Sequence, residues 1–81
     1  MTVKVLFFAR LRELAGRERE TLTLPDDALV GDALLEVERR FPAVADVLKN
    51  CRVAVDEEFT TPEAVLGSAA VLAIIPPVSG G

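Results

Sequence analysis

Residues 70–75 form an almost uninterrupted apolar run that stops at Pro76-Pro77. A strand with no polar face to offer water predicts a place at the centre of a sheet, buried on both faces. The run is far too short for a membrane span, which needs roughly 20 apolar residues. The rest of the chain then has to supply its neighbours and a helix to cover it.

Those neighbours are legible by period. Residues 3–9 alternate, with Val3, Val5 and Phe7 on one side and Lys4, Leu6 and Phe8 on the other. The second set is mostly apolar too, so this strand is either central or carries a binding face. Residues 9–15 read as a short helical turn closed by Gly16, and residues 20–24 as a second, antiparallel strand with Leu22 and Leu24 inward. Val30, Leu34, Val37 and Phe41 recur at helical spacing and mark the main helix, which Pro42 ends. Neither Leu29 nor Val30 has a side-chain acceptor to cap it, so the expectation is a helix held by packing. Residues 43–49 suggest a second short helix. Residues 51–55 suggest a third strand, Asp56-Glu57-Glu58 a turn, and Phe59-Thr60 a short return strand. Gly67-Ser68 makes the last turn.

Two strands, a helix and two or three strands, with the last inserted beside the first, satisfy the right-handed crossover preference. The expectation is an α+β roll with a mixed sheet and one main helix on one face. Its ordered domain is residues 1–77 and its flexible tail residues 78–81.

Charge and composition exclude several functions. The net charge is −4, and the arginines at 10, 12, 17 and 19 are interleaved with Glu13, Glu18 and Glu20, so there is no cationic footprint for nucleic acid. One cysteine, Cys51, cannot form an internal disulfide, and its strand context favours an inert thiol. No signal-peptide layout opens the sequence, and a cytoplasmic protein with no membrane association is expected. The chain has no histidine, which removes imidazole catalysis and histidine metal ligation. Five glycines, at 16, 31, 67, 80 and 81, make no phosphate-binding loop. No bound cofactor and no metal are expected.

What remains is Val78-Ser79-Gly80-Gly81. An α-carboxylate on a flexible arm can be activated as an acyl adenylate by a partner that uses ATP, and a sulfur or nitrogen nucleophile then displaces AMP. Glycine has no Cβ to obstruct a narrow site and tolerates any φ. Pro76-Pro77 stiffens the exit from the strand. Read from these residues alone, the tail can equally be a frayed end.

The two ends together carry a resemblance. Residues 3–16, from Val3-Lys4-Val5-Leu6-Phe7-Phe8-Ala9-Arg10 to Leu14-Ala15-Gly16, and residues 75–81, from Ile75-Pro76-Pro77 to Gly80-Gly81, are joined by Phe41-Pro42, Ala54-Val55-Asp56 and Gly67 at matching spacing. With them the chain resembles the small, sulfur-carrier subunits of molybdopterin synthase, which have the ubiquitin-like β-grasp fold. The resemblance implies that Gly81 is adenylated by a ubiquitin-activating-like adenylyltransferase and converted to a thiocarboxylate by way of a sulfur donor. It implies a large catalytic subunit, in a heterotetramer, to which the tail delivers sulfur for cyclic pyranopterin monophosphate. Phe8, Arg12 and Phe59 match contact positions of the family, with Ile75, Pro76 and Pro77 beside them. Ile75 stands where an aromatic is common, Asp56 where asparagine is frequent, and residues 67–70 replace a usual acidic turn. Other readings are a carrier for thiamine or tRNA thiolation, a modifier that forms isopeptide bonds through its C-terminus, and a plain interaction module.

Overall fold

The computed structural model describes residues 1–68 and 70–77. Elements follow in the order β1 (Thr2–Phe7), α1 (Ala9–Ala15), β2 (Arg19–Thr23) and α2 (Val30–Arg40). A 3₁₀ turn (Pro42–Val44) leads into α3 (Ala45–Leu48), and β3 (Arg52–Val55), β4 (Glu58–Thr60) and β5 (Val71–Ile75) complete the chain. The sheet order is β2-β1-β5-β3-β4, with β5 in the middle as its composition requires. It runs parallel to β1 and antiparallel to β3, and the two outer pairs are antiparallel. The result is the mixed α+β roll that the element order predicts.

Alternation along the strands sorts the residues. Val3, Val5 and Phe7 of β1, Leu22 of β2, and Leu72 and Ile74 of β5 point to one face and are buried. Val30, Ala33 and Val37 of α2, Leu11 of α1, Val44 and Leu66 close over them. Each fully buried Val or Leu side chain contributes about 1.5–3 kcal/mol over leaving it in water. Phe7 meets Phe41 edge-on, with ring centroids 5.5 Å apart.

All the helices pack on that face, and this corrects one expectation. β5 is not buried on both sides. Ala70, Leu72 and Ile74 are buried, whereas Val71, Ala73 and Ile75 are only half-buried because, among the described residues, no element covers them. The apolar second face of β1 has the same cause: the sheet keeps an open side.

The start of α2 corrects another. Packing is not its only anchor, because backbone carbonyls from residues 62–64 take its first amides. Val30 donates to Ala64 at 2.8 Å and Gly31 to Pro62 at 2.8 Å. Asp32 turns its carboxylate back to accept the Leu29 N–H at 2.8 Å, which also places a negative charge at the positive end of the helix dipole. At the other end of the chain's first helix, Gly16 adopts φ 74 and its N–H bonds the Arg12 carbonyl, as a left-handed C-cap should.

The β3–β4 turn consists of Asp56 and Glu57, with φ 49 and 73. Two consecutive left-handed residues match the twist of a tight hairpin. Cys51 falls just before β3 rather than inside it. Its Sγ donates to the Val47 carbonyl at 3.1 Å, which holds it to the end of α3. Among the described residues no helix is long and apolar enough to cross a membrane.

Candidate functional site: the open face of the sheet

The register brings the outward residues of four strands together. Leu6 lies opposite Ala73, Ala73 opposite Ala54, and Ala54 opposite Phe59. One row further along, Arg52 lies opposite Ile75. Small side chains therefore occupy the middle of the face and large ones its margins. Leu6, Phe8, Val71 and Ala73 line a cleft of about 470 Å³, rimmed by Asp56 and Glu57.

Phe8 owes its position to parity. It continues the alternation of β1 in an extended conformation, with φ −118 and ψ 151, immediately before the chain turns into α1. Phe8 is 45% exposed and Phe59 59%, so neither is a core residue. Arg12 projects from α1 beside Phe8, where the two share a shallow groove, and forms an ion pair with Glu18 at 3.4 Å. The Arg52 guanidinium stacks over the Phe59 ring, 3.9 Å from its centroid. Arg52 was not among the sequence candidates. Its place follows from lying two residues before Ala54 on an outward-facing register, which needs the strand pairing to be known.

Asp56 and Glu57 sit at the end of the face where β5 begins, with Lys4 opposite Val71, and the Val71 amide donates to Asp56 Oδ1 at 3.0 Å. Arg52 and Arg12 sit at the end where the chain leaves through half-buried Ile75 and Pro76 and exposed Pro77. The structure thus puts Phe8 beside Arg12 at one margin and Phe59 beside Arg52 at the other, with Ile75 opposite Arg52 between them and Pro76-Pro77 following directly on β5. Val78, Ser79, Gly80 and Gly81 lie outside the described residues. Cys51 is away from this face, and burial pushes its thiol pKa up, so it holds little thiolate near neutrality.

Residues 5–81 match the ThiS family. The chain belongs to that family. It is 40% identical over 83 aligned positions to the molybdopterin synthase sulfur carrier subunit of Chlamydomonas reinhardtii, with all of both chains covered. Among solved structures, SAMP1 of Haloferax volcanii, a small archaeal modifier protein, superposes with TM-score 0.91 at 29% identity over the whole of both chains. One chain of the complex of subunits 1 and 2 of the molybdopterin-converting factor from Helicobacter pylori shares the fold at TM-score 0.70 and 22% identity, with all of this chain and all of that one covered. These neighbours agree with the ubiquitin-like β-grasp expected from the two end motifs.

Proposed function

We propose that this protein is the sulfur-carrier subunit of a molybdopterin synthase. The observation that carries the reading is the full-length likeness to a sulfur carrier subunit, in a chain whose central strand leads out of an open apolar face into Gly80-Gly81. The Gly81 carboxylate attacks the α-phosphorus of ATP on an adenylyltransferase partner, which releases pyrophosphate and leaves an acyl adenylate. A sulfur donor's persulfide sulfur displaces AMP, and reduction of the resulting acyl disulfide by a thiol frees the thiocarboxylate. The arm then enters the large subunit and gives its sulfur to cyclic pyranopterin monophosphate. Water restores the carboxylate, ready for another round.

In this reading no side chain of the folded domain acts on the substrate. Gly81 bears the reacting atom, Val78, Ser79 and Gly80 give it reach, and Pro76-Pro77 fix where the arm departs. Phe8, Arg12, Phe59 and Ile75 form the docking surface. ATP is consumed on a partner, so the reading requires no cofactor or metal on this chain.

Incubation of the intact chain with the activating enzyme, ATP and a sulfur donor should add the mass of one sulfur minus one oxygen. Removal of Gly81 should abolish that gain, and activation that survives the deletion would sink the reading. The likeness to SAMP1 favours a second reading, a modifier joined to lysine. Isopeptide conjugates in a cell extract, with no dithiolene formed from thiocarboxylate, large subunit and pterin precursor, would select it instead.

A further inference from the structure

The two outer strands of the sheet differ in their free edges. On β2, Thr21 lies opposite Lys4, between the ladder pairs, so its own N–H and C=O point outward. Both are occupied. The N–H donates to Glu20 Oε1 at 3.1 Å, and the C=O accepts from Arg40 Nη1 at 3.3 Å. Arg17 and Arg40 also hold Glu20, and Glu36 holds Arg40, so this edge is closed by a network of ion pairs.

On β4 the parity follows from one bond. The Asp56 N–H donates to the Val71 carbonyl at 3.0 Å, which makes this antiparallel pair a hydrogen-bonded one. Alternation then turns Ala54 and Arg52 toward β5, and Val53 and Val55 toward β4. Val53 and Val55 face Thr60 and Glu58, so Phe59, opposite Ala54, directs its N–H and C=O away from the sheet. Among the described residues no side chain meets either group, in contrast to Thr21. Beside this edge, on the helix side, Leu34, Leu48, Cys51, Val53 and Pro62 line a groove of about 430 Å³ with Lys49 and Arg52 at its margin.

We infer that the outer edge of β4 accepts an extended strand of the large subunit, adding a sixth strand to the sheet. This rests on the sulfur-carrier reading above. The choice of occupant comes from continuity: the Phe59 ring belongs to the open docking face while its backbone forms the edge. A partner that covers the face up to Phe59 brings its own backbone alongside. An antiparallel segment would exchange two bonds with Phe59. Its neighbouring side chains would drop into the groove, which takes an apolar residue. The residue opposite Phe59 would share the open face with the Phe59 ring and the Arg52 guanidinium stacked on it, so an acidic side chain suits that one position.

Proline is tolerated on an edge strand where the N–H faces solvent, which gives a direct test. Phe59→Ala and Phe59→Pro both remove the ring, and only the second removes the N–H. With folding checked by circular dichroism, Phe59→Pro should bind the large subunit about tenfold or more weakly than Phe59→Ala, because a carbonyl of the added strand loses its donor. Independently of any variant, exchange of the wild-type Phe59 amide should slow on complex formation. A stable wild-type complex with unchanged Phe59 exchange would overturn the edge proposal and leave the carrier reading standing. Absence of any wild-type complex would overturn both. Protection that appears in the free chain as concentration rises would assign the edge to a second copy instead.

Discussion

The Gly31 amide donates to the Pro62 carbonyl at 2.8 Å, and a Cβ built on Gly31 would stand 3.2 Å from that same oxygen. The start of α2 and the segment after β4 are therefore pressed together at a position that suits glycine for its lack of a side chain. Gly31→Val should lower stability by about 1–3 kcal/mol, as small-to-large changes in tight contacts do. Urea denaturation would measure it. Retention of the wild-type midpoint would mean that the 62–64 segment yields freely and does not anchor the helix.

The hairpin turn holds a different kind of stress. Glu57 sits at φ 73, a left-handed conformation that costs a residue with a Cβ about 1–2 kcal/mol. Tight hairpins favour glycine at such a position. Glu57→Gly should therefore raise stability by about 0.5–1 kcal/mol, after glycine's greater loss of backbone freedom is subtracted. A thermal melt that moves down rather than up would show that the Glu57 side chain makes a compensating contact.

These two sites show what the sequence discloses and what it conceals. Alternation in β1 separates Phe7 from Phe8 without any knowledge of partners, and helical spacing finds Val30 and Val37. Composition alone sends β5 to the sheet centre. The cap of α2 is invisible to local reading because its acceptors, Pro62 and Ala64, come from beyond β4. Arg52 is concealed for a similar reason: its stacking on Phe59 exists only once β3 and β4 pair. The half-covered side of β5 depends on how many helices reach each face, which a count of apolar residues does not encode. Residue type alone leaves the tail open between a reactive arm and a frayed end, and only the joint pattern of residues 3–16 and 75–81 points to the first.

Glu36 gives the fold a defined acid response. Its carboxyl accepts from Arg39 at 2.6 Å and from Arg40 at 2.9 Å, and these bonds lower its pKa from 4.5 to about 2. A depressed folded-state value means that the stabilisation is fully present above about pH 4.5 and is lost as pH falls toward 2. Glu36→Gln should be less stable than wild type at neutral pH, and the gap should close across that window. Chemical denaturation at several pH values would test this, and a gap independent of pH would refute the assignment. The contribution should also shrink with added salt, since the pair lies at the surface.

Adjacent phenylalanines on opposite faces separate folding from docking. Phe7 is 2% exposed and meets Phe41, whereas Phe8 is 45% exposed on the open face. Phe7→Ala should cost about 3–5 kcal/mol of stability by opening a cavity in the core. Phe8→Ala should leave stability almost unchanged, yet weaken the complex with the large subunit by about tenfold or more if it is an anchor of that interface. Calorimetric binding together with urea denaturation of both variants provides the comparison. If Phe8→Ala binds like wild type, the proposed docking surface is wrong at its centre. If instead it unfolds the chain, the open face is closed in solution by something else, and β5 would after all be covered on both sides.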